Sequence, residues 1–161
     1  MNTINEVGIL ALSTRLQRLS EQLRKEGAMI YKAYGIDFEP KWFPVILTLC
    51  NHQNLSVVEI ANEIGYTHPS TITLLKELEK QSLIQSSKDK SDERKRLLHL
   101  TTKGHALVER MKPVWKIMSQ ALEQIGDNEH NLLLAINQSE KQLTGQSFYQ
   151  RTMAIKNNTE K

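Results

Sequence analysis

The chain has 161 residues, of which 39% are hydrophobic and 24% are charged, and its formal net charge is +3. This composition excludes a disordered protein, and the longest apolar run, residues 42–50, is far shorter than the ~20 residues of a membrane-spanning helix. The N-terminus lacks the regions of a signal peptide and the single cysteine excludes an internal disulfide, so we expect a cytoplasmic protein.

A long amphipathic helix is predicted from about Gly8 to Ala33. Its apolar residues recur at steps of three and four and form one stripe, which consists of Ile9, Leu12, Leu16, Leu19 and Leu23. The other faces are polar or charged. A stripe of this kind must be buried against a partner, and its regularity at a chain terminus favours an interface between subunits.

Three shorter helices are predicted next. Pro40 opens the first of them in a position where its missing N–H costs nothing. Ser56 and Glu59 have the spacing of a capping box, which predicts a short helix that ends at Gly65, and Thr67 caps the helix that follows. Two short helices joined by a glycine-containing turn are typical of a helix-turn-helix. The predicted buried side of the second of this pair consists of Ile72, Leu75 and Leu78.

Two short strands, residues 83–87 and 96–100, are predicted on either side of a charged loop and form a β-hairpin. Thr101 or Thr102 then caps a helix that continues to about Ile125 and that Pro113 is expected to bend. Asp127 is expected to cap one last helix. The predicted fold is mainly α, with the order α-α-α-α-β-β-α-α.

The excess positive charge is confined to one short stretch that contains this hairpin. Residues 85–103 contain six Lys or Arg against three Asp or Glu, whereas the rest of the chain carries equal numbers of basic and acidic residues. A local excess of this kind is typical of a surface that binds a polyanion. A hairpin made basic for solubility is the alternative, and the charge count alone does not separate the two.

The order of elements and the residues within them resemble the MarR (multiple antibiotic resistance regulator) family of winged helix-turn-helix transcriptional regulators. The similarity is closest from Leu55 to Gly104. Residues 55–61 look like the first element of the helix-turn-helix, and residues 70–79 look like its recognition helix. The family's wing signature corresponds here to Asp92-x-Arg94, a strand, and Leu-Thr-x-x-Gly at residues 100–104. The chain departs from the family in having Ser82 where Gly is usual and Gln85 where Arg is frequent.

The resemblance implies a homodimeric regulator, in most cases a repressor, that binds a pseudo-palindromic site in double-stranded DNA. It implies a dimerisation helix at residues 1–38, a winged helix-turn-helix domain at residues 39–104 and dimerisation helices at residues 105–161. The residues expected in the dimer interface are Ile9, Leu12, Leu16, Leu19, Leu132, Ile136 and Leu143.

The recognition helix is expected to enter the major groove with its N-terminal residues, and those assigned to DNA are His68, Pro69, Ser70, Thr71, Thr73 and Lys76. The resemblance implies that Arg94 reaches into the minor groove while Asp92 holds its guanidinium. The cations expected to meet phosphates are Lys88, Lys90, Lys95 and Arg96. Helix capping by Ser70 and Thr71, and a surface ion pair between Asp92 and Arg94, remain as alternatives.

Other functions have less support in the sequence. No catalytic constellation is evident, so we expect no enzyme activity and no cofactor. The histidines (His52, His68, His99, His105 and His130) are too scattered to predict a metal site. Cys50 closes an apolar helix and is interpreted as a small core residue. A winged-helix module that binds another protein, without binding DNA, is the second candidate.

The resemblance also implies a small aromatic effector that binds between the dimerisation helices and the winged helix. The residues that could line such a pocket are Arg15, Arg18, Tyr31, Trp42 and Trp115. For the three aromatic residues, packing in the core is the alternative role.

Overall fold

A computed structural model describes residues 3–88 and 96–159 of the chain. The chain divides into two units, Met1–Val114 and Trp115–Lys161. The three-part division by role that the sequence predicts stays a prediction. Within the described ranges, the structure has no helix with the length and apolar character needed to cross a lipid bilayer.

The predicted N-terminal helix is interrupted near its start. A short helix α1, Thr3–Glu6, is followed by a 3₁₀ turn at Gly8–Ala11 and then by the long helix α2, Leu12–Ala33. Gly8 has a φ of 72°, a left-handed conformation that glycine adopts without strain and that separates α1 from the turn. The sequence prediction of one continuous helix from Gly8 is therefore wrong in its first turn.

The helix-turn-helix is formed as predicted. After a 3₁₀ turn at Pro40–Trp42, the helices are α3, Phe43–Asn51, α4, Val57–Ile64, and α5, His68–Lys80. The Ser56 hydroxyl accepts a hydrogen bond of 3.3 Å from the Glu59 N–H, and the Glu59 carboxylate accepts one of 2.8 Å from the Ser56 N–H, so the predicted capping box starts α4. Thr67 is the N-cap of α5, which is also as predicted.

Three antiparallel strands form the wing, in the spatial order β1-β3-β2. They are β1, Leu55–Ser56, β2, Ile84–Lys88, and β3, Arg96–Leu100. The register pairs Leu55 with Leu98 and Ile84 with Leu100, and its last described pair is Lys88 with Arg96. The hairpin confirms the prediction. Strand β1 is absent from the predicted elements, because two residues are too few to show an alternating pattern.

The C-terminal part contains α6, Thr102–Gly126, α7, Leu132–Gly145, and α8, Phe148–Thr159. The prediction of a single last helix capped by Asp127 is wrong. Asn131 caps α7 by accepting a hydrogen bond of 3.0 Å from the Leu134 N–H. Ser147 and Gln150 then form a second reciprocal pair, at 2.9 and 3.2 Å, which starts a separate helix, α8.

The core of the first unit is formed by α3, α4, α5, the inner face of the sheet and the first half of α6. Its least accessible large side chains are Ile46, Leu49, Ile60, Leu78, Ile84 and Met111. This core fixes the positions of α5 and of the hairpin, which are the two elements assigned to DNA.

Three helices end in the same hydrogen-bonded pattern, in which a left-handed residue follows the helix. Gly35 and Gly65 occupy this position after α2 and α4, with φ values of 64° and 69°. Ser82 occupies it after α5 with a φ of 58°, and the adjoining N–H of Leu83 bonds to the Leu78 carbonyl at 3.0 Å. Ser82 thus adopts a left-handed conformation, which is unfavourable for a residue with a β-carbon and is not unfavourable for glycine.

Replacing Ser82→Gly is therefore expected to stabilise the protein by about 1 kcal/mol, because it removes the left-handed strain. The free energy of unfolding would be measured by urea denaturation at one protein concentration. Ser82→Ala is the matched control, since it removes the hydroxyl and keeps the β-carbon. Equal stability of the glycine and alanine variants would contradict this explanation.

Candidate nucleic-acid interface

The start of α5 projects from the core into solvent. His68, Pro69 and Ser70 are exposed, and Pro69 lies in the first turn, where a missing N–H leaves no hydrogen bond unmade. The Thr67 hydroxyl donates to the Ser70 hydroxyl oxygen at 2.9 Å. The first turn is thus held by its own side chains and is accessible to a ligand.

The buried face of α5 differs from the prediction at three positions. It consists of Thr71, Leu74, Leu75 and Leu78, whereas Ile72 is only half-buried. Thr71 is 0% exposed, and its hydroxyl donates to the Thr67 carbonyl at 3.1 Å. Thr71 therefore cannot contact a base or phosphate, which corrects its assignment to DNA. The backbone carbonyl satisfies the hydroxyl, so a polar side chain is tolerated in the core at this position.

The opposite face of α5 carries Pro69, Thr73 and Lys76, all of them exposed. These residues follow one another at spacings of three and four and so share one side of the helix. The Thr73 hydroxyl donates back to the Pro69 carbonyl at 3.1 Å. Of the residues assigned to DNA on α5, this face brings together Pro69, Thr73 and Lys76, with His68 and Ser70 at its start.

The described base of the hairpin presents cations to solvent. Lys88 and Arg96 face each other in the register and both are exposed. The Arg96 guanidinium donates to the Ser86 hydroxyl at 2.6 Å, which steadies it on the strand pair. The other predicted wing residues, Lys90, Asp92, Arg94 and Lys95, lie outside the described residues.

A close contact joins the hairpin to α6. The Leu83 carbonyl accepts the Thr101 N–H at 3.0 Å, and the Thr101 hydroxyl accepts the Gly104 N–H at 3.0 Å. A β-carbon at Gly104 would overlap the Leu83 carbonyl oxygen, so only glycine fits there. The Leu-Thr-x-x-Gly segment of the sequence is therefore the joint at which α6 begins against the entry to the wing.

Two cations of α6 bind the carbonyl ends of other helices. Lys103 donates to the Gln81 carbonyl at 2.7 Å, at the end of α5. Arg110 donates to the Gly35 carbonyl at 2.9 Å, at the end of α2. Positive charge at the C-terminus of a helix is favourable because the helix dipole is negative there.

A polar cluster joins α5 to the 3₁₀ turn before α3. The Trp42 indole N–H donates to the Glu77 carboxylate at 2.8 Å, and the Lys41 ammonium lies 2.7 Å from the same oxygen, Oε2. Glu39 is a second partner of Lys41, at 3.1 Å. The hydrogen bond from Lys41, and then that from Trp42, holds the pKa of Glu77 below its ordinary value. A carboxylate on the recognition helix is thus neutralised within the protein.

The residues predicted for an effector lie in separate parts of the chain. Tyr31 and Trp42 are buried and stack edge-on with Phe38, at centroid distances of 5.0 and 5.8 Å, which is the predicted alternative of core packing. Arg15 and Arg18 are exposed on α2, about 20 to 24 Å from Tyr31 by helical rise. Trp115 is half-buried and belongs to the second unit.

Two concave regions of the first unit contain effector candidates. A groove of about 490 Å³ is lined by Arg15 and Arg18 together with Leu12 and Leu16. A smaller cavity of about 230 Å³ is lined by Trp42, among other residues, including Asp37, Lys103 and Arg110. Within residues 3–88 and 96–159, no group of three or more His, Cys, Asp or Glu side chains could hold a metal ion.

The residues predicted for the dimer interface are largely unburied in the single chain. Ile9, Leu12 and Leu16 are exposed and Leu19 is half-buried. In the second unit, Ile136 and Leu143 are exposed and Leu132 is half-buried. Large apolar side chains outside that set are exposed as well; among them are Leu10, Leu133, Phe148 and Tyr149.

These features define the class of protein. Helices α4 and α5 form a helix-turn-helix, the three-stranded sheet forms the wing beside it, and α6 follows directly, which is the winged helix-turn-helix fold. A family model described as the MarR family matches residues 35–95 of the chain. The resemblance to this family that the sequence shows is confirmed over these residues.

Solved structures match most of the chain. The Staphylococcus aureus MepR–DNA complex is 25% identical, covers 82% of this chain and 96% of its own, and has a TM-score of 0.69. The transcriptional repressor CouR bound to a 23-mer DNA duplex is 25% identical, with coverages of 83% and 96% and a TM-score of 0.67. Bordetella bronchiseptica BpsR is 22% identical, with coverages of 80% and 98% and a TM-score of 0.59. No curated protein sequence matches the chain.

The Glu77 cluster makes a pH-dependent contribution to stability. Glu77→Gln is expected to destabilise the protein at neutral pH, because Lys41 and Trp42 then lose their charged partner. The loss of stability relative to the wild type should shrink as the pH falls below about 4.3, the ordinary pKa of Glu. Protonation then removes the charge of Glu77 in the wild type, so the two proteins lack the same charge. Urea denaturation between about pH 3 and about pH 7 measures this difference.

Glu79→Gln is the matched control, because it removes the same charge from α5 without removing the partner of Lys41 and Trp42. A deficit for Glu77→Gln that stays constant down to the lowest pH, or equals that of the control, would show that the cluster does not stabilise the fold through charge.

Proposed function

We propose that the protein is a sequence-specific, double-stranded-DNA-binding transcriptional regulator that acts as a homodimer on a pseudo-palindromic operator and represses transcription. The observation that carries this proposal is that the exposed start of α5 and a basic hairpin lie on the same unit. Lys88 and Arg96, the described cations of the hairpin, take part in none of the described ion pairs. A helix start of this kind fits the major groove, and the hairpin cations attract phosphates.

The assignment of residues follows from this placement. His68, Pro69, Ser70 and Thr73 would face base edges, and Lys76, one turn further on, would meet a phosphate. Lys88 and Arg96 would meet phosphates from the hairpin. Lys90, Asp92, Arg94 and Lys95 complete the proposed wing contacts, with Arg94 in the minor groove.

The DNA-bound relatives support the proposal. MepR and CouR were solved in complex with DNA, and CouR is described as a repressor. Both share the winged helix-turn-helix fold with this chain over more than 80% of its length. As a regulator of this type acts on chromosomal DNA, we place the protein in the cytoplasm.

The exposed apolar stripe of α2 supports a homodimer. Ile9 is 78% exposed and Leu16 46% exposed, so much of the stripe that the sequence predicts to be buried is left uncovered by the described residues. Exposed apolar surface of this extent is typical of an interface. A two-fold axis would place two recognition helices about 34 Å apart, which is one turn of DNA.

We further propose release from DNA by a small aromatic molecule. The DNA binding of the relative BpsR is regulated by 6-hydroxynicotinic acid. In this chain the candidate sites are the Trp42 cavity and the groove that contains Arg15 and Arg18. A ligand would release the operator if it bound more tightly to a dimer whose recognition helices are wrongly spaced for one turn of DNA.

Removing hairpin cations should weaken binding by the same factor on any sequence. Lys88→Ala, Arg96→Ala and Lys95→Ala each remove one cation that would neutralise a phosphate, so each is expected to lower the slope of log affinity against log salt by about 0.9. Arg94→Ala is expected to weaken binding more than these variants do, because it also removes the guanidinium that would lie in the minor groove. Fluorescence anisotropy with duplex DNA at several salt concentrations measures both effects.

Lys25→Ala provides the matched control, because Lys25 is an exposed cation of α2 outside the proposed interface. An unchanged salt slope in the hairpin variants, or the same change in the control, would count against DNA binding by the wing. Wild-type protein that binds no duplex even in dilute buffer would instead favour the protein-binding module.

The dimer is tested by placing a charge in the stripe. Leu16→Glu should give a monomer, since a carboxylate would be buried at the interface without a partner. Operator affinity should fall by about 100-fold or more, because the two half-sites are no longer bound together. Sedimentation equilibrium and anisotropy measure the two results. Thr14→Glu, on the opposite side of α2, should remain dimeric, and a dimeric Leu16→Glu would refute this interface.

A further inference from the structure

The first two turns of α5 lack the side chains that usually discriminate bases. From His68 to Leu75 there is no Arg, Lys, Asn, Gln, Asp or Glu. Bidentate recognition of guanine uses Arg or Lys, that of adenine uses Asn or Gln, and cytosine is read by a carboxylate. A sequence-specific protein with this recognition helix must therefore read bases by other contacts.

Two of the threonine hydroxyls on this helix are already engaged inside the protein. Thr71 is buried, and its hydroxyl donates to the Thr67 carbonyl. The exposed Thr73 donates its hydroxyl proton to the Pro69 carbonyl at 3.1 Å. A threonine whose oxygen is turned back onto the preceding turn of its helix leaves its methyl group as the part available to a ligand.

The exposed face of α5 is consequently apolar where it would meet the bases. The Pro69 ring and the Thr73 methyl group lie four residues apart, on one side of the helix. The rise between the two residues is about 6 Å. Successive base pairs are about 3.4 Å apart, so the two groups can contact bases no more than two steps apart.

We propose that Pro69 and Thr73 recognise the 5-methyl groups of thymines in the major groove. Thymine is the base that presents a methyl group there, and apolar side chains are the groups that contact it. His68 and Ser70 add hydrogen bonds at the start of the helix. The inference rests on the proposed function, since it names the operator feature that α5 reads.

The inference is tested on an operator selected from a random pool of duplexes. Replacing single thymines by deoxyuridine removes one methyl group and keeps every hydrogen-bonding group. At the positions read by α5, each replacement should weaken binding by about fourfold, the value expected for one buried methyl group. Selected half-sites without thymine at the recognised positions would overturn the inference.

Two variants of Thr73 separate its methyl group from its hydroxyl. Thr73→Val keeps a methyl group in the same place and should still bind the thymine operator more tightly than the deoxyuridine operator. Thr73→Ser keeps the hydroxyl and should abolish that difference at one position. The opposite pattern, with discrimination retained by serine and abolished by valine, would show that the hydroxyl is the recognising group and would overturn the inference.

The outcomes for the inference and for the proposed function are distinct. Wild-type protein that binds the thymine and deoxyuridine operators with equal affinity overturns thymine recognition and leaves DNA binding intact. Wild-type protein that binds no duplex overturns DNA binding itself, and thymine recognition with it.

Discussion

The geometry of the proposed interface depends on the close approach of Gly104 to the Leu83 carbonyl. That carbonyl lies between the end of α5 and the start of β2, so it links the recognition helix to the wing. The N–H of Thr101, the residue before α6, donates to it, and the missing side chain of Gly104 lets the α6 backbone approach it closely. The position of the start of α6 against the entry to the hairpin is therefore set at one backbone position.

The two parts of the proposed interface have different physical tasks. The hairpin carries most of the chain's excess positive charge, and charge attracts phosphates without regard to sequence. Helix α5 contributes little net charge to the interface, because its two lysines, Lys76 and Lys80, are matched by Glu77 and Glu79. Its exposed start therefore acts at short range, where shape and apolar contact distinguish one base from another. We thus assign affinity to the hairpin and sequence preference to α5, and the contact between Leu83 and Gly104 lies where these two elements meet.

Elements with strong local signals could be predicted from the sequence. Ser56 with Glu59, Thr67, and Gly65 mark their helix ends by hydrogen bonds within a few residues, and each is recognisable in the sequence. Ser147 with Gln150 carries the same kind of signal, which the prediction of a single last helix leaves out. Ser82, which is left-handed, is also marked in the sequence, because it stands where the family usually has glycine.

Features that depend on distant parts of the chain could not be predicted in this way. Strand β1 exists because β3 offers a free edge, and its two residues show no pattern of their own. The burial of Thr71 depends on a backbone carbonyl that satisfies its hydroxyl, whereas hydrophobicity alone favours Ile72 for the core. Tyr31 and Trp42 are candidates both for an effector pocket and for the core, and only the packed structure places them with Phe38.

The paired contacts of α6 have a mechanical consequence. Lys103 and Arg110 lie seven residues apart, about 10 Å along one side of a helix, and each is tied to the tail of a different helix. Because this part of α6 is held at two points, a tilt of α6 about a point between them would move the C-terminal ends of α2 and α5 in opposite directions. Movement of α2 would thus be conveyed to the far end of α5 through two side chains, without rearrangement of the core between them.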